Sequence, residues 1–242
     1  MKQIDLTLSS PAENLAADEA LLEWGEAGHG VEILRFWEPR DCFVVVGYAN
    51  KTATEVNLAA CEAKGVPVFR RCSGGGTVVQ GPGCLNYTLV LRITETGPLH
   101  SISTANQFIM RRNRTAIESA FPIPHSAIAI RGHTDLAVGD RKFSGNAQRR
   151  RKQFLLFHGT FLLNLDLSLI SELLPLPSKQ PDYRENRPHA RFLTNLQLPP
   201  EQVKAALRQA WQAEEPLKDF PNETISALVR EKYATREWNF KF

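Results

Sequence analysis

Residues 66–91 read VPVFRRCSGGGTVVQGPGCLNYTLVL, and the fold turns on how this stretch is read. Val66, Val68 and Phe69 are strand formers that lead into Arg70 and Arg71. Ser73 and three successive glycines, Gly74 to Gly76, follow. Thr77 to Val79 and Leu85 to Leu91 read as further strands, separated by Gly81-Pro82-Gly83. Glycine loses more backbone entropy on folding than any other residue, so three in a row between strands are costly. The usual return is a backbone that a ligand can approach closely, with free N–H groups that bind an anion. The two arginines add donors suited to carboxylate or phosphate. The plain alternative is a glycine-rich hairpin with solvated arginines. No G-x-x-x-x-G-K-[ST] is present, and no G-x-G-x-x-G opens a helix, because Thr77-Val78-Val79 reads as strand. An anion bound here would be held by a strand–turn–strand frame.

Towards the N-terminus, Lys2 to Leu8 reads as a strand. Ser10-Pro11-Ala12-Glu13 then opens a helix, with Ser as N-cap, Pro at the first position and Glu three residues on. Leu15, Ala16, Leu21, Leu22 and Trp24 supply its buried stripe. Val31 to Trp37 and Cys42 to Val46 read as strands. Gly47-Tyr48-Ala49-Asn50 is a turn, and a short helix from Leu58 to Lys64 is stopped by Gly65. Towards the C-terminus, Ser103 to Phe121 reads as a helix, Ala127 to Ile130 and Asp135 to Val138 as strands, and Asp140 to Gln148 as a turn running into a strand. Phe154 to Leu165 is an apolar run interrupted by His158-Gly159-Thr160. A helix over Leu167 to Leu174, a proline-rich loop over Pro175 to Pro188, and helices over Pro199 to Ala213 and Asn222 to Tyr233 complete the chain. Strands interleaved with helices predict an α+β fold, a mixed sheet with helices packed on it, as one domain over 1–242.

Composition narrows the function. The 242 residues are 43% apolar and 23% charged, with a net charge of +3. That is enough apolar chain for a good core and too little charge to argue for nucleic acid. The basic run Arg149-Arg150-Arg151-Lys152 and the helix face Arg111, Arg112, Arg114 read as solvated. Cys42, Cys61, Cys72 and Cys84 show no C-x-x-C spacing. They fit neither a zinc site nor a disulfide scaffold, and they suit a reducing cytoplasm. No apolar run reaches membrane-spanning length and no leader pattern is visible, so the expected location is cytoplasmic, without a membrane partner.

Two further stretches carry chemistry. Lys142 precedes Phe143-Ser144-Gly145-Asn146-Ala147, where a lysine beside a small-residue turn can reach an anionic group. A surface lysine is the commoner explanation. Within the apolar run, Gly159 marks the close approach of a backbone or ligand beside His158. Each signal alone is weak; their order is specific.

The set R-R-x-S-G-G-G, D-R-K-x-S-G-x-A and H-G-T followed by Asp166 resembles the lipoate–protein ligase A family, within the wider group of lipoyl/octanoyl transferases and biotin ligases. The resemblance implies the catalytic-domain fold of that group, a mixed β-sheet flanked by helices. It implies activation of lipoate or octanoate with MgATP to acyl-AMP, then transfer to a lysine of a lipoyl-acceptor domain such as a 2-oxoacid dehydrogenase E2 or the glycine-cleavage H protein. Carried onto this sequence, Arg71, Ser73, Gly74, Gly75, Gly76, Thr77 and Asn86 would line the acyl-adenylate and ATP site. Lys142 would be catalytic, contacting the acyl carboxyl and α-phosphate. Gly145 and Ala147 would shape the adenylate pocket, and His158, Gly159 and Thr160 would line the same cleft. The metal ligands are not named by the pattern, nor is a base for the acceptor lysine.

The sequence also departs from the ligase pattern. Where ligases commonly carry H-D-x-G-N, this chain has Gln80-Gly81-Pro82-Gly83-Cys84, closer to the H-G-P-G-Q of octanoyltransferases. Those transferases work through an activated cysteine. No cysteine follows Cys84, which favours an ATP-dependent ligase; Cys72 and Cys84, which flank the glycine loop, read as small packing residues, with a displaced nucleophile as the alternative. Many ligases carry a C-terminal accessory domain for which there is no room before Phe242, so either a separate accessory protein is a partner or the chain performs only part of the reaction. A cysteine-dependent transferase and a non-catalytic subunit that binds an acyl-adenylate or a lipoyl domain are the alternatives. Arg149 to Lys152 would face an acidic acceptor domain.

Overall fold

The computed structural model describes residues 1–121 and 128–242. The capping signal at Ser10 is realised in helix α1 (Pro11–Trp24). The Glu13 N–H donates to the Ser10 hydroxyl, and the Ser10 N–H donates to the Glu13 carboxylate at 2.8 Å. Such a box contributes about 1 kcal/mol. The helix is buried nearly all round, with Ala16, Ala17, Ala20, Leu21 and Leu22 fully enclosed.

Strands β1 (Lys2–Asp5), β2 (Ile33–Trp37), β6 (Cys84–Arg92), β7 (Ile128–Arg131), β8 (Asp135–Val138), β9 (Arg141–Arg150), β10 (Phe154–Leu162) and β11 (Glu215–Pro216) form one sheet in the order β11-β1-β2-β6-β10-β9-β8-β7. Strands β3 (Phe43–Val46), β4 (Val68–Arg70) and β5 (Val78–Gln80) form a second, in the order β4-β3-β5. Each sheet mixes parallel and antiparallel pairs. The remaining helices are α2 (Thr52–Glu55), α3 (Leu58–Ala63), α4 (Ile102–Ala120), α5 (Ser168–Leu173), α6 (His189–Phe192), α7 (Pro200–Trp211), α8 (Asn222–Leu228) and α9 (Arg236–Asn239). Leu34, Phe36, Leu89, Phe157 and Phe161 pack with Ile109 of α4 and Leu207 of α7 in the largest core cluster. α1 closes two further clusters, one with Phe43 and Val45, the other with Val90 and Phe154. The central strands β6 and β10 are therefore enclosed along most of their length, which explains the apolar residues at both their ends, around Asn86-Tyr87-Thr88 and His158-Gly159-Thr160.

Several boundaries differ from the sequence reading. Residues 141–150 are strand from the start, because Gly145, Asn146 and Ala147 pair with Thr160, Gly159 and His158 of β10; pairing against a buried central strand overrides their weak β propensity. β10 stops at Leu162 because the N–H groups of Leu163 and Asn164 turn to the Gly83 carbonyl. The expected strand at Ala127 is seen from Ile128 onward, and Ala127 lies outside the described residues. The arginines of the basic run are not simply solvated. Arg149 donates to the Cys72 carbonyl, Arg150 to the Leu99 and His100 carbonyls, and Arg151 to the Glu23 carboxylate.

Candidate active site

The glycine loop is held by its carbonyls. β4 ends at Arg70, and the two arginines that the sequence suggested as anion donors both give hydrogen bonds to protein carbonyls. Arg70 is fully buried and donates to the carbonyls of Gly47, Tyr48, Asn50, Trp238 and Asn239. Arg71 donates to the Gly74 carbonyl at 2.6 Å, the Gly76 carbonyl at 2.7 Å and the Ser73 hydroxyl at 3.1 Å. The Tyr48 N–H takes the Ser73 carbonyl and the Asn50 amide takes that of Gly75. Four successive carbonyls are thus satisfied from the protein side. The N–H groups of Gly74, Gly75 and Gly76 have no partner among the described residues. Donors left free on a turn whose acceptors are all occupied make an anion-binding concavity. Burial lowers the Arg71 guanidinium to about 10. It stays charged at neutral pH, with no carboxylate paired to it among the described residues, and adds positive potential behind the turn.

Why glycine is needed differs along the loop. Gly75 has φ +87°, and any Cβ at Gly47 would collide with the Gly75 carbonyl, so these two positions are fixed by the turn itself. A Cβ at Gly74 or Gly76 would meet nothing of the protein within 4 Å.

The other two motifs lie side by side opposite this loop. In the register of β9, β10 and β6, His158 stands between Ala147 and Thr88, Gly159 between Asn146 and Tyr87, and Thr160 between Gly145 and Asn86. What approaches Gly159 is the Asn146 side chain together with the backbone carbonyl of Gly145, which would stand 3.0 Å from an added Cβ. Thr160, Asn86 and Gln80 bond one another, with Gln80 donating to Thr160 at 2.7 Å and Asn86 to Gln80 at 3.0 Å. Gln80, which departs from the ligase pattern, therefore has a structural place. Asn86 and Thr160 form wall rather than free donors. Lys142 folds back over Gly145: a Cβ there would stand 2.7 Å from the ammonium. The ammonium pairs with Asp135 at 2.8 Å, and the other Asp135 oxygen accepts from the Tyr183 hydroxyl at 2.7 Å. Burial and then the Asp135 carboxylate push that hydroxyl far above the usual phenol range, so it acts as a donor.

These groups enclose a cleft of about 850 Å³. Arg71, Gly75, Gly76, Thr77, Asn86, Lys142, Gly145, Ala147, His158, Gly159 and Thr160 line it, together with apolar side chains such as Leu15, Trp37, Val45 and Ile170. Ser73 and Gly74 do not reach the wall. Ser73 is fully buried behind the loop, with its hydroxyl turned to His158. A groove of about 910 Å³ between α4 and α7, lined by Thr104, Gln107 and Arg111 among others, contains none of the motif residues.

A model of the lipoyl protein ligase A/B catalytic domain matches residues 10–212. The chain belongs to that family. Family relatives include octanoyltransferase LipM of Geobacillus kaustophilus, 28% identical over 98% of this chain and 97% of that protein. Lipoate-protein ligase A subunit 1 of Thermoplasma acidophilum is 29% identical over 97% of this chain and 95% of that protein. Among solved structures, a lipoate-protein ligase A bound with ATP superposes with a TM-score of 0.81 at 24% identity, covering 99% of both chains. A bi-partite lipoate protein ligase from Thermoplasma acidophilum gives 0.82 at 23% identity, over 99% of this chain and 96% of that one. The expected ligase catalytic-domain fold is the fold observed.

Within this family member, sequence reading missed the residues that hold the motifs in place. Asp18 accepts from His158 at 2.8 Å, from Arg35 at 2.7 Å and from Thr88 at 2.8 Å. Burial pushes its carboxyl up, but the His158 hydrogen bond and the Arg35 charge outweigh burial and hold it below the usual carboxylate range. Asp18 lies on the apolar α1 and Arg35 inside the apolar run 33–37. A charged residue in each otherwise apolar segment was the available signal, since buried charges are paired. Asp135 opens a short strand and showed only as a strand boundary. Among the described residues no helix is long and apolar enough to cross a membrane.

Proposed function

We propose that this chain activates a medium-length carboxylic acid of the lipoate or octanoate class with ATP and passes the acyl group to a lysine of an acceptor domain. The observation that carries the reading is one cleft with Lys142 on one wall and the free N–H groups of the glycine loop on the other, flanked by aliphatic side chains. Adenylation builds negative charge on the carboxylate oxygens and the α-phosphate, and fixed donors with a lysine are what that transition state requires. In this reading Gly75, Gly76 and Thr77 hold phosphate or acyl oxygens, Lys142 leaves Asp135 to bridge carboxyl and phosphate, and Gly145 and Ala147 make room for the adenylate. Among the described residues no group of three or more His, Cys, Asp or Glu side chains could hold a metal. In this reading Mg²⁺ would come with the nucleotide's phosphates, where it would neutralise charge.

The thiols support ATP-driven activation over a thioester route. Burial pushes Cys72 and Cys84 each up to about 12, and burial also raises Cys42 and Cys61. Burial thus disfavours the thiolate at each of these four cysteines. A Cys72→Ala, Cys84→Ala double variant is expected to retain acyl-dependent exchange of pyrophosphate into ATP. Exchange absent from the wild type, with and without an accessory protein, defeats the proposal. The similarity to LipM along the whole chain keeps a second reading, an ATP-independent transferase. Octanoyl transfer from a thioester donor without ATP, lost in the double variant, would establish it.

The acceptor is proposed to be a lipoyl domain, and a separate accessory chain is proposed on the same grounds. The Thermoplasma relative is named a subunit, and the structural neighbour from that organism is described as bi-partite, with an E2 lipoyl domain. A cytoplasmic location is proposed from the unpaired cysteines. The open space at Gly76 gives a direct test of the cradle. Gly76→Ala is expected to leave the melting temperature unchanged or slightly raised. It should raise the KM for ATP or acid roughly 10-fold, a binding loss of about 1.4 kcal/mol. An unaltered KM would remove the loop from the site.

A further inference from the structure

The family motifs place His158 in the cleft, but both its ring nitrogens are engaged on the protein side. Nδ1 faces the Asp18 carboxylate at 2.8 Å and Nε2 faces the Ser73 hydroxyl at 2.6 Å. Asp18 is anchored in turn by the fully buried Arg35 at 2.7 Å. Ser73 is fully buried, and its oxygen already accepts from Arg71 Nε at 3.1 Å.

Hydrogen-bond accounting fixes the protons. The Ser73 hydroxyl has one hydrogen to donate. With Arg71 donating into its oxygen, the acceptor within reach for that hydrogen is His158 Nε2. A proton on Nε2 would leave the Ser73 hydrogen buried without an acceptor, which costs about 1–3 kcal/mol. If that were the ring's only proton, a bare Nδ1 lone pair would also face a carboxylate. A doubly protonated ring would leave the same hydrogen orphaned and add a third cation to Arg35 and Arg71 against one Asp18. One proton, on Nδ1, satisfies every group.

We infer that Asp18, His158 and Ser73 form a hydrogen-bond relay in which His158 is a positioning residue, holding the Nδ1–H tautomer and orienting the Ser73 hydroxyl. The Ser73 oxygen then presents its lone pair to Arg71, and Arg71 holds the Gly74 and Gly76 carbonyls away from the cleft. The ring exchanges no proton with substrate. Its effect on the reaction passes through Ser73 and Arg71 to the direction of the loop N–H groups. This deepens the proposed function and rests on it only for what the loop binds.

The test uses the full chain with ¹⁵N-labelled imidazoles, without ligand, at neutral pH. Long-range ¹H–¹⁵N spectra are expected to show His158 as the Nδ1–H tautomer, assigned by the signal lost in His158→Gln. Asp18→Asn, whose amide can donate to Nδ1, should switch the ring to Nε2–H. Ser73→Ala, which deletes one oxygen, should keep the fold, shift the Gly75 and Gly76 amide resonances and weaken binding of a non-hydrolysable acyl-adenylate analogue roughly 10-fold. A wild-type ring protonated at Nε2 overturns the relay, as do Gly75 and Gly76 amides unmoved by Ser73→Ala. If tautomer and amides behave as stated but the analogue does not bind the wild type, the relay stands and the acyl-adenylate reading falls.

Discussion

Lys142→Ala lowers acyl-dependent pyrophosphate exchange by about 10²–10³-fold, the usual loss when one fixed donor to a developing oxyanion is deleted. The fold should survive. The lysine is a quarter exposed and pairs with an Asp135 that keeps its hydrogen bond from Tyr183, so a stability change of about 1 kcal/mol or less is expected. Lys142→Arg should not rescue. The ammonium lies against the face of Gly145, and a planar guanidinium has no such space above a β-strand residue. Gly145→Ala is the mirror experiment: its Cβ would stand 2.7 Å from the ammonium and 2.8 Å from Cε, so it should displace an intact lysine and reproduce much of the loss. Exchange within threefold of wild type in Lys142→Ala would show that the amine does not contact the reacting groups.

The largest effect on stability is expected at Arg35. Its guanidinium, with no exposed surface, donates to Asp18, to the Asn14 side chain at 2.7 Å and to the Asn14 carbonyl at 3.0 Å. Arg35→Met keeps the stem and removes the charge, leaving Asp18 buried with only His158 and Thr88. Breaking a buried pair from one side costs about 3–5 kcal/mol, to be read from the denaturant midpoint. Replacing both partners, Arg35→Met with Asp18→Leu, should recover part of that stability. It should not recover ligand binding, because the support of His158 is gone. A single variant as stable as wild type would mean that the pair is not the anchor its burial implies.

The motif residues that line the cleft stood out in the sequence and those that hold them did not, and the reason is spacing. The glycine loop, Lys142 and His158-Gly159-Thr160 sit in short runs of unusual residue types, and local order carries the signal. Arg35 meets Asp18 across 17 positions and His158 meets it across 140; no periodicity encodes such pairs. The α1 cap was readable from Ser10 and Glu13 because capping is local. The short helix α9 and the two-residue β11 were not, because packing makes them rather than propensity. The sequence did not show that Arg70 and Arg71 brace the loop's surroundings through carbonyls, for a related reason. Guanidinium groups suit carbonyls as well as anions, and only the fold decides which they meet.

Arg70 has a consequence for biogenesis. Its N–H bonds the Asn239 side chain, its carbonyl accepts from the Trp238 indole, and Nε reaches the Trp238 carbonyl, all across about 170 positions. A nascent chain therefore makes the glycine turn early and braces it late. Until residue 239 has cleared the ribosome, the turn lacks this outer support, so its final shape waits on chain made about 170 residues later.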